Sequence, residues 1–387
     1  MCFREVVLFS ACDASFRRSA SEINRVWWRQ EKTDQVQSRT IANVVEREGE
    51  QIQAHLRRHS EHILQDHGFT TDGSVADSNK AFAAITKEDV TLSREVVCQT
   101  IEELNRGQEE EKCIDISELH ETFEDPSAVK ANISIDDVCC KKQKASGRKK
   151  GSPPKEKREM VYNTVAHIQN KASKTYTLNT SNIAQMMTII LAFLVSNELL
   201  SKPGSLVFFT DGARDLRSAI QDMFSFLSFK ILLDWYHLEK KCKDLLSMAI
   251  SGKQVKNQIL AELLTWLWLG KVERAIKLLQ ELSQESIKND KELKNLITYL
   301  DRNRNYIPCY ALRKKLGLRL SSNPVEKAND LVVSNRQKHN GMSWSADGST
   351  SLATLTCLRR NDEHMQWLRR RDIHFTFPEH KQVKPAA

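Results

Sequence analysis

Residues 206–237 read LVFFTDGARDLRSAIQDMFSFLSFKILLDWYH, a stretch that contains two short apolar runs. The apolar runs LVFF and FKILL each end within two residues at an aspartate, Asp211 and Asp234. One such aspartate is common, because strands often end at Asp-Gly turns. Two in close succession, with His237 three residues after the second, predict a site at the edge of a sheet.

The composition is typical of a globular protein with a polyanionic partner. The chain has 387 residues, enough for two or three domains, and a formal net charge of +8. Its longest apolar run, MMTIILAFLV at 186–195, is too short to span a membrane, and charged residues interrupt the N-terminal apolar segment. We therefore expect a cytoplasmic protein without a membrane partner.

The nine cysteines include no CxxC pair, which favours reduced thiols over a zinc site.

The order of predicted elements outlines a mixed α/β domain. Strands are predicted at 132–140, 160–169 and 174–180, and a long apolar helix follows at 182–200. The opening stretch then adds a strand, a helix and a strand, which gives the order βββαβαβ. Strands joined by crossover helices run parallel. Residues 238–319 are predicted to be wholly helical, and a further helix begins near Ser322 or Asn323.

Residues 1–130 are predicted to be helical, with an amphipathic helix within 33–66. A turn and then a helix capped by Ser93 are compatible with a helix-turn-helix that reads DNA, although other helical hairpins have the same pattern. A metal-binding helix face could be suggested by His55, His59 and His62. The two arginines between His55 and His59 instead favour a solvated helix face.

Three acidic residues stand where strands or helices meet the predicted sheet edge: Asp136, Asp211 and Glu326. If the strands fold in the order of RNase H, the first and fourth lie side by side and the two aspartates approach each other. Clustered carboxylates repel unless a cation neutralises them, and their hard oxygens suit Mg²⁺ or Mn²⁺. Asp137 and Asp330 are the rival ligands. Alternatively, Asp211 only forms an Asp-Gly turn, and Glu326 only complements the positive N-terminal end of the helix dipole.

The motifs around these acids resemble the DDE transposases. FFTDGARDLRSAI and ILLDWYH are similar to the second-aspartate region and the following C/DxxH motif, and ISIDDV resembles the first-aspartate strand. SSNPVEKANDLVVSNRQKHNGMSWS resembles the glutamate helix and the basic stretch after it. The branch with a helical insertion, the Mutator-like elements and related bacterial insertion sequences, fits best. The resemblance covers roughly residues 130–365.

The resemblance implies a transposase that cleaves DNA at element ends and joins the ends to target DNA. Asp136, Asp211 and Glu326 would bind two Mg²⁺ or Mn²⁺ ions, with Asp234 and His237 accessory. It also implies the following organisation: a helical N-terminal region at 1–130, an RNase H-like core at 131–237 and 320–365, an all-helical insertion at 238–319, and a basic tail at 366–387.

The implied partner is double-stranded DNA rather than a small molecule, bound by a DNA-associated bacterial protein that forms a homo-oligomer. The predicted contacts with the DNA backbone are basic residues that precede or follow the acidic strands and helix: Lys141, Lys142, Lys144, Arg148, Lys149, Lys150, Arg336 and Lys338. Trp266 and Trp268 could stack on an unpaired base, or form the core of the insertion.

Two other functions remain open from the sequence. A truncated start would leave an inactive, DNA-binding transposase remnant. An RNase H-like metal-dependent nuclease without strand transfer would use the same acids.

Overall fold

The computed structural model describes residues 3–28, 35–119, 121–143, 159–321, 323–339 and 342–379. The chain forms two compact units. Unit 1 contains residues 1–86, 134–202 and 324–387, and unit 2 contains residues 87–133 and 203–323.

Five strands form one mixed sheet in the order β3-β2-β1-β4-β5. Their bounds are β1 Val129–Lys141, β2 Met160–Asn170, β3 Thr175–Thr180, β4 Ser205–Thr210 and β5 Lys230–Leu233. β2 and β3 are antiparallel, with Thr164 opposite Thr180. β4 and β5 are parallel, with Thr210 opposite Leu233. The predicted strands and the neighbouring positions of the first and fourth are thus confirmed.

The α-helices carry most of the remaining chain. They are α1 Phe3–Asp13, α2 Phe16–Trp27, α3 Ser38–Asp66, α4 Ser78–Ala83, α5 Arg94–Asn105, α6 Ile183–Ser196, α7 Arg214–Phe224, α8 Trp235–Ala249, α9 Lys253–Trp268, α10 Val272–Gln280, α11 Asp290–Asn303, α12 Tyr310–Lys315, α13 Asn323–Asn329, α14 Asn335–Gln337, α15 Ala346–Arg360 and α16 His364–Arg370. A π-helical turn, Asp330–Ser334, joins α13 to α14.

Short 3₁₀ turns complete the structure at Glu110–Lys112, Ile116–Glu118, Pro126–Ala128, Gln284–Ser286 and Arg304–Tyr306. None of the helices in the described ranges is both long and apolar enough to cross a membrane. Every cysteine in those ranges is a free thiol.

Unit 1 is built around the close crossing of α3 and α15. The α15 segment is rich in Gly, Ser, Ala and Thr, and it is buried from Gly348 to Leu358. On α3, a Cβ atom at Gly49 would lie 2.3 Å from the Cβ of Ser351, so only glycine permits this approach. Small residues on both helices therefore set the distance between them.

Unit 2 contains the helical segment that the sequence predicts between 238 and 319. Its core joins the end of β5 to apolar residues of α8 to α11, including Leu238, Leu263, Leu279 and Leu300. The helices α8 to α12 confirm the predicted helical character of this segment.

Candidate metal centre

Asp136 is held in one orientation by hydrogen bonds to both oxygens of its carboxylate. Oδ1 accepts the backbone N–H of Asp137 at 2.9 Å, and Oδ2 accepts the Nδ2 of Asn329 at 2.6 Å. The residue is half-buried at the end of the apolar part of β1, directly after Ile135, which is only 1% exposed. Strand β1 and helix α13 thus both fix this carboxylate.

Asp137, the rival on the same strand, has a different environment. It is exposed, and its Oδ1 accepts the hydroxyl of Thr164 on β2 at 2.6 Å. Its carboxylate therefore ties β1 to the neighbouring strand. Asp136 is the acid of this pair that lies beside another acidic side chain.

That neighbour is Glu326, on the first turn of α13. Asp136 and Glu326 are both half-buried, and a carboxylate oxygen of each lies within 4.8 Å of the other. The rival acid on this helical segment, Asp330, is exposed, and its Oδ1 lies 3.1 Å from the Nε2 of His339. Within unit 1, the structure therefore brings together the first and third acids that the sequence singles out.

The apolar face of α13 explains why Glu326 lies where it does. Val325 and Ala328 are buried on this helix, and the π-helical turn continues the same packing surface. The cluster that they join contains residues of β1, β2, the α13 segment and α15: Val138, Val165, Val325, Ala328, Val332, Val333, Ala353 and Cys357. This packing holds α13 against the strand that carries Asp136.

The donor set in unit 1 is suited to a hard divalent cation. Two carboxylates at this separation repel each other, and a cation between them would remove that repulsion. Carboxylate oxygens are the ligands that Mg²⁺ and Mn²⁺ prefer in proteins. The residues present therefore fit the predicted ions.

In unit 2, Asp211 ends β4 and shapes the turn into α7. Its Oδ1 accepts the backbone N–H of Ala213 at 2.8 Å, and its backbone carbonyl accepts the hydroxyl of Tyr299 at 3.4 Å. Gly212 follows with φ +87°, and a Cβ there would lie 2.9 Å from the Cδ1 of Leu233. The turn thus requires glycine and presents a half-buried aspartate at the sheet edge.

Asp234 begins α8 at the end of the neighbouring strand β5. It is fully buried, and its Oδ1 accepts the backbone N–H of Tyr236 at 2.6 Å, which caps the helix. The other oxygen lies 3.7 Å from the Nδ1 of His237, one turn along. Burial, and then the nearby charge of Asp234, raises the pKa of Tyr310 well above its usual value. Asp234 therefore caps the start of α8, and His237 lies one turn further along the same helix.

An open basin of about 770 Å³ lies in unit 2 beside Asp211 and His237. Its charged lining, which the sequence did not single out, comes from α8 and α11: Lys240, Lys241, Asp244, Glu292 and Arg302. The Nζ of Lys241 lies 5.9 Å from the centre of the Tyr299 ring. Three basic side chains, Lys240, Lys241 and Arg302, thus line a basin that Asp211 also lines.

The predicted DNA contacts fall into three groups. Lys141, Lys142 and Lys338 are exposed, and Lys142 pairs with Glu159 at 2.8 Å. Four predicted contacts lie outside the described residues: Lys144, Arg148, Lys149 and Lys150. The third group lies in the protein interior.

Arg336 belongs to that interior group, so its prediction as a surface contact with DNA is wrong for this structure. It is 4% exposed, and its guanidinium lies over the rings of Phe16 and Trp344. Its Nε also donates to the carbonyl of Ala11 at 3.0 Å. Burial lowers the pKa of Arg336 to about 10. The side chain ties α14 to the N-terminal helices.

The two tryptophans of the insertion pack within unit 2. Trp266 is 7% exposed, which agrees with the core alternative. Trp268 is half-buried; its ring centre lies 4.8 Å from that of Trp235 and 6.0 Å from that of Tyr310.

The histidines of α3 correct a second expectation. His62 is exposed, but His55 and His59 are half-buried and stack with ring centres 5.8 Å apart. His55 also lies 3.3 Å from Asp372, and His59 packs edge-on against Phe375. Burial lowers the pKa of both half-buried imidazoles. A solvated helix face was therefore wrong for these two residues.

The sequence also gave no sign of a buried ion pair in unit 2. Arg313 and Glu124 are at most 1% exposed, and the guanidinium donates to both carboxylate oxygens. Lys230 adds a third charge, 3.2 Å from Glu124. The pair joins residues 189 positions apart, so no local pattern could reveal it.

No family model and no curated protein matches the chain. Among solved structures, it is similar to the Drosophila P element transposase strand transfer complex. The two share 9% identity, over 92% of this chain and 85% of that chain, with a TM-score of 0.23. So low a TM-score carries no argument about fold or function.

Proposed function

We propose that this protein is a DNA transposase with an RNase H-like core, in which Asp136, Asp211 and Glu326 hold two Mg²⁺ or Mn²⁺ ions. One observation carries the proposal: the carboxylates of Asp136 and Glu326 lie within 4.8 Å of one another. Two half-buried anions kept this close by packing and hydrogen bonds suit a cation better than they suit a purely structural role.

Asp211 enters the proposal through the order of the sheet. It directly follows β4, and β4 neighbours β1, which carries Asp136. Asp234 and His237 are proposed as accessory residues, because the buried carboxylate of Asp234 caps α8 and lies 3.7 Å from the imidazole.

The proposed reaction cleaves a strand at the element end and then joins it to the target. Two bound ions supply charge stabilisation for the attacking and leaving oxygens of each in-line displacement. Water attacks the first phosphodiester, which leaves a 5′-phosphate and a free 3′-hydroxyl. This hydroxyl then attacks a phosphodiester of the target, and the 3′-oxygen of the target strand leaves as a hydroxyl. The side chains of the site bind and orient the reacting groups, so we expect no covalent protein intermediate.

The exposed cations Lys141, Lys142 and Lys338 are proposed to contact DNA phosphates, and the basin residues Lys240 and Lys241 extend this set. Such contacts release counterions, so DNA affinity should fall as salt rises. We also expect a homo-oligomer on the DNA.

The test is cleavage and joining of labelled duplex DNA that carries the sequences flanking this coding region, with Mg²⁺ or Mn²⁺. Asp136→Asn and Glu326→Gln should abolish both steps while DNA binding survives. Asp137→Asn, on β1, and Asp330→Asn, in the π-helical turn after α13, are matched controls, and both should remain active.

Each other result has a distinct meaning. Cleavage without joining would replace the transposase with a nuclease. DNA binding without chemistry in the wild-type protein would indicate an inactive remnant. Equal activity in all five proteins would show that the site is elsewhere.

A further inference from the structure

Asn329 lies one helical turn after Glu326 and contacts the other acid of the pair. It is 4% exposed, and its Nδ2 donates to the Oδ2 of Asp136 at 2.6 Å. An ionised carboxylate only accepts hydrogen bonds, so the amide must turn its nitrogen toward Asp136. This requirement fixes the direction of the amide oxygen as well.

The amide oxygen of Asn329 is a buried acceptor without a hydrogen-bond partner among the described residues. Leaving a buried carbonyl oxygen unsatisfied costs free energy, and buried amides in native structures are normally paired on both sides. A purely structural role would explain the hydrogen bond that the Nδ2 of Asn329 donates. It would not explain why the buried Oδ1 accepts none from the described residues.

The helix also changes its geometry at this residue. The regular helix α13 ends at Asn329, and the π-helical turn begins at Asp330. Such turns insert an extra residue and occur frequently at functional sites. Here the turn follows the two residues, Glu326 and Asn329, that occupy one helix face at a spacing of three.

We infer that Asn329 is a positioning residue of the metal centre: it orients Asp136 through its donor and offers its Oδ1 to a hydrated divalent cation. This inference rests on the proposed function. It adds a neutral oxygen to a site otherwise made of carboxylates.

The test measures metal binding directly, with Mn²⁺ alone as the probe and electron paramagnetic resonance as the readout. Asn329→Ala should weaken Mn²⁺ binding about 10–100-fold, as loss of a ligand-orienting hydrogen bond does elsewhere. Asn335→Ala, at an exposed asparagine six residues further on, is the matched control and should bind like the wild type.

A second variant separates positioning from packing. Asn329→Asp keeps the shape but places a third carboxylate beside Asp136 and Glu326. We expect a lower melting temperature in a chelator and a larger Mn²⁺-induced rise than in the wild type, whereas Asn329→Ala should show a smaller rise. Equal rises in all three proteins would mean that Asn329 only packs.

Asp136→Asn completes the series. If wild-type Mn²⁺ binding does not depend on Asp136, the proposed centre fails and this inference fails with it. If binding depends on Asp136 but is unchanged in Asn329→Ala, the centre stands and only the inference about Asn329 is overturned.

Discussion

Replacing Glu326 with glutamine should stabilise the protein in the absence of divalent metal. The carboxylates of Asp136 and Glu326 lie within 4.8 Å of one another. At 4.8 Å, the upper limit of this separation, two unit charges repel by about 0.9 kcal/mol in bulk water and by about 3.5 kcal/mol at an effective dielectric constant of about 20. Because both groups are half-buried and each also has other interactions, removing one charge should raise the free energy of unfolding by no more than this repulsion, about 1–3 kcal/mol.

The same substitution should remove most of the stabilisation that a bound cation provides. The assay is urea unfolding at pH 7, in a chelator and in Mn²⁺, for the wild type and Glu326→Gln. The wild type should gain stability on adding Mn²⁺, since the ion binds the native state more strongly than the unfolded chain. Asp330→Asn, in the π-helical turn after α13, is the control and should respond to Mn²⁺ as the wild type does.

If Glu326→Gln is no more stable than the wild type in the chelator and gains as much from Mn²⁺, the two carboxylates do not form a cation site.

Three further predictions concern the fold that supports the site. Arg313→Ala should destabilise the protein by about 3–5 kcal/mol in urea unfolding, because it leaves a buried carboxylate unpaired, whereas Lys315→Ala at an exposed pair should cost about 0–1 kcal/mol. Gly212→Ala should cost more than Gly317→Ala; both glycines have positive φ, but only the first would bring its Cβ against neighbouring atoms. Burial raises the pKa of Glu363 from 4.5 to about 7, so the native state favours the neutral carboxyl group. The stability that this neutral group contributes is complete below pH 4.5 and is lost as pH rises through 7. Unfolding measured across that range should show a slope that Glu363→Gln removes; an unchanged slope would contradict the assignment.

The element order was predictable because each segment carries its own periodicity. The apolar runs before Asp211 and Asp234 form β4 and β5, and the helix predicted to begin near Ser322 or Asn323 begins at Asn323. Ser93 caps α5 as expected, through its hydroxyl and the backbone N–H of Val96. These features depend on residues close together in the chain, so the sequence displays them.

Part of the candidate site was also predictable. The sequence singles out Asp136, with Asp137 as its rival, and the structure gives the two acids different partners. An acid on the first turn of a helix drew attention to Glu326. The partner of Asp136, Asn329, lies 193 residues away, so only the folded chain shows it.

The errors have a common physical origin. Arg336, His55 and His59 were judged by their own polarity and that of nearby residues. Each is instead covered by an aromatic ring from elsewhere in the chain, such as Phe16 against Arg336 and Phe375 against His59. Long polar side chains and imidazoles have apolar parts that pack well once the charged end is paired or turned aside.

The central claim is that Asp211 acts with Asp136 and Glu326 on the same pair of ions. The most direct measurement counts the Mn²⁺ ions bound per chain, by equilibrium dialysis with electron paramagnetic resonance, for the wild type and Asp211→Asn. We expect two ions in the wild type and a reduced number or a much weaker affinity in the variant. Unchanged stoichiometry and affinity in Asp211→Asn would contradict it.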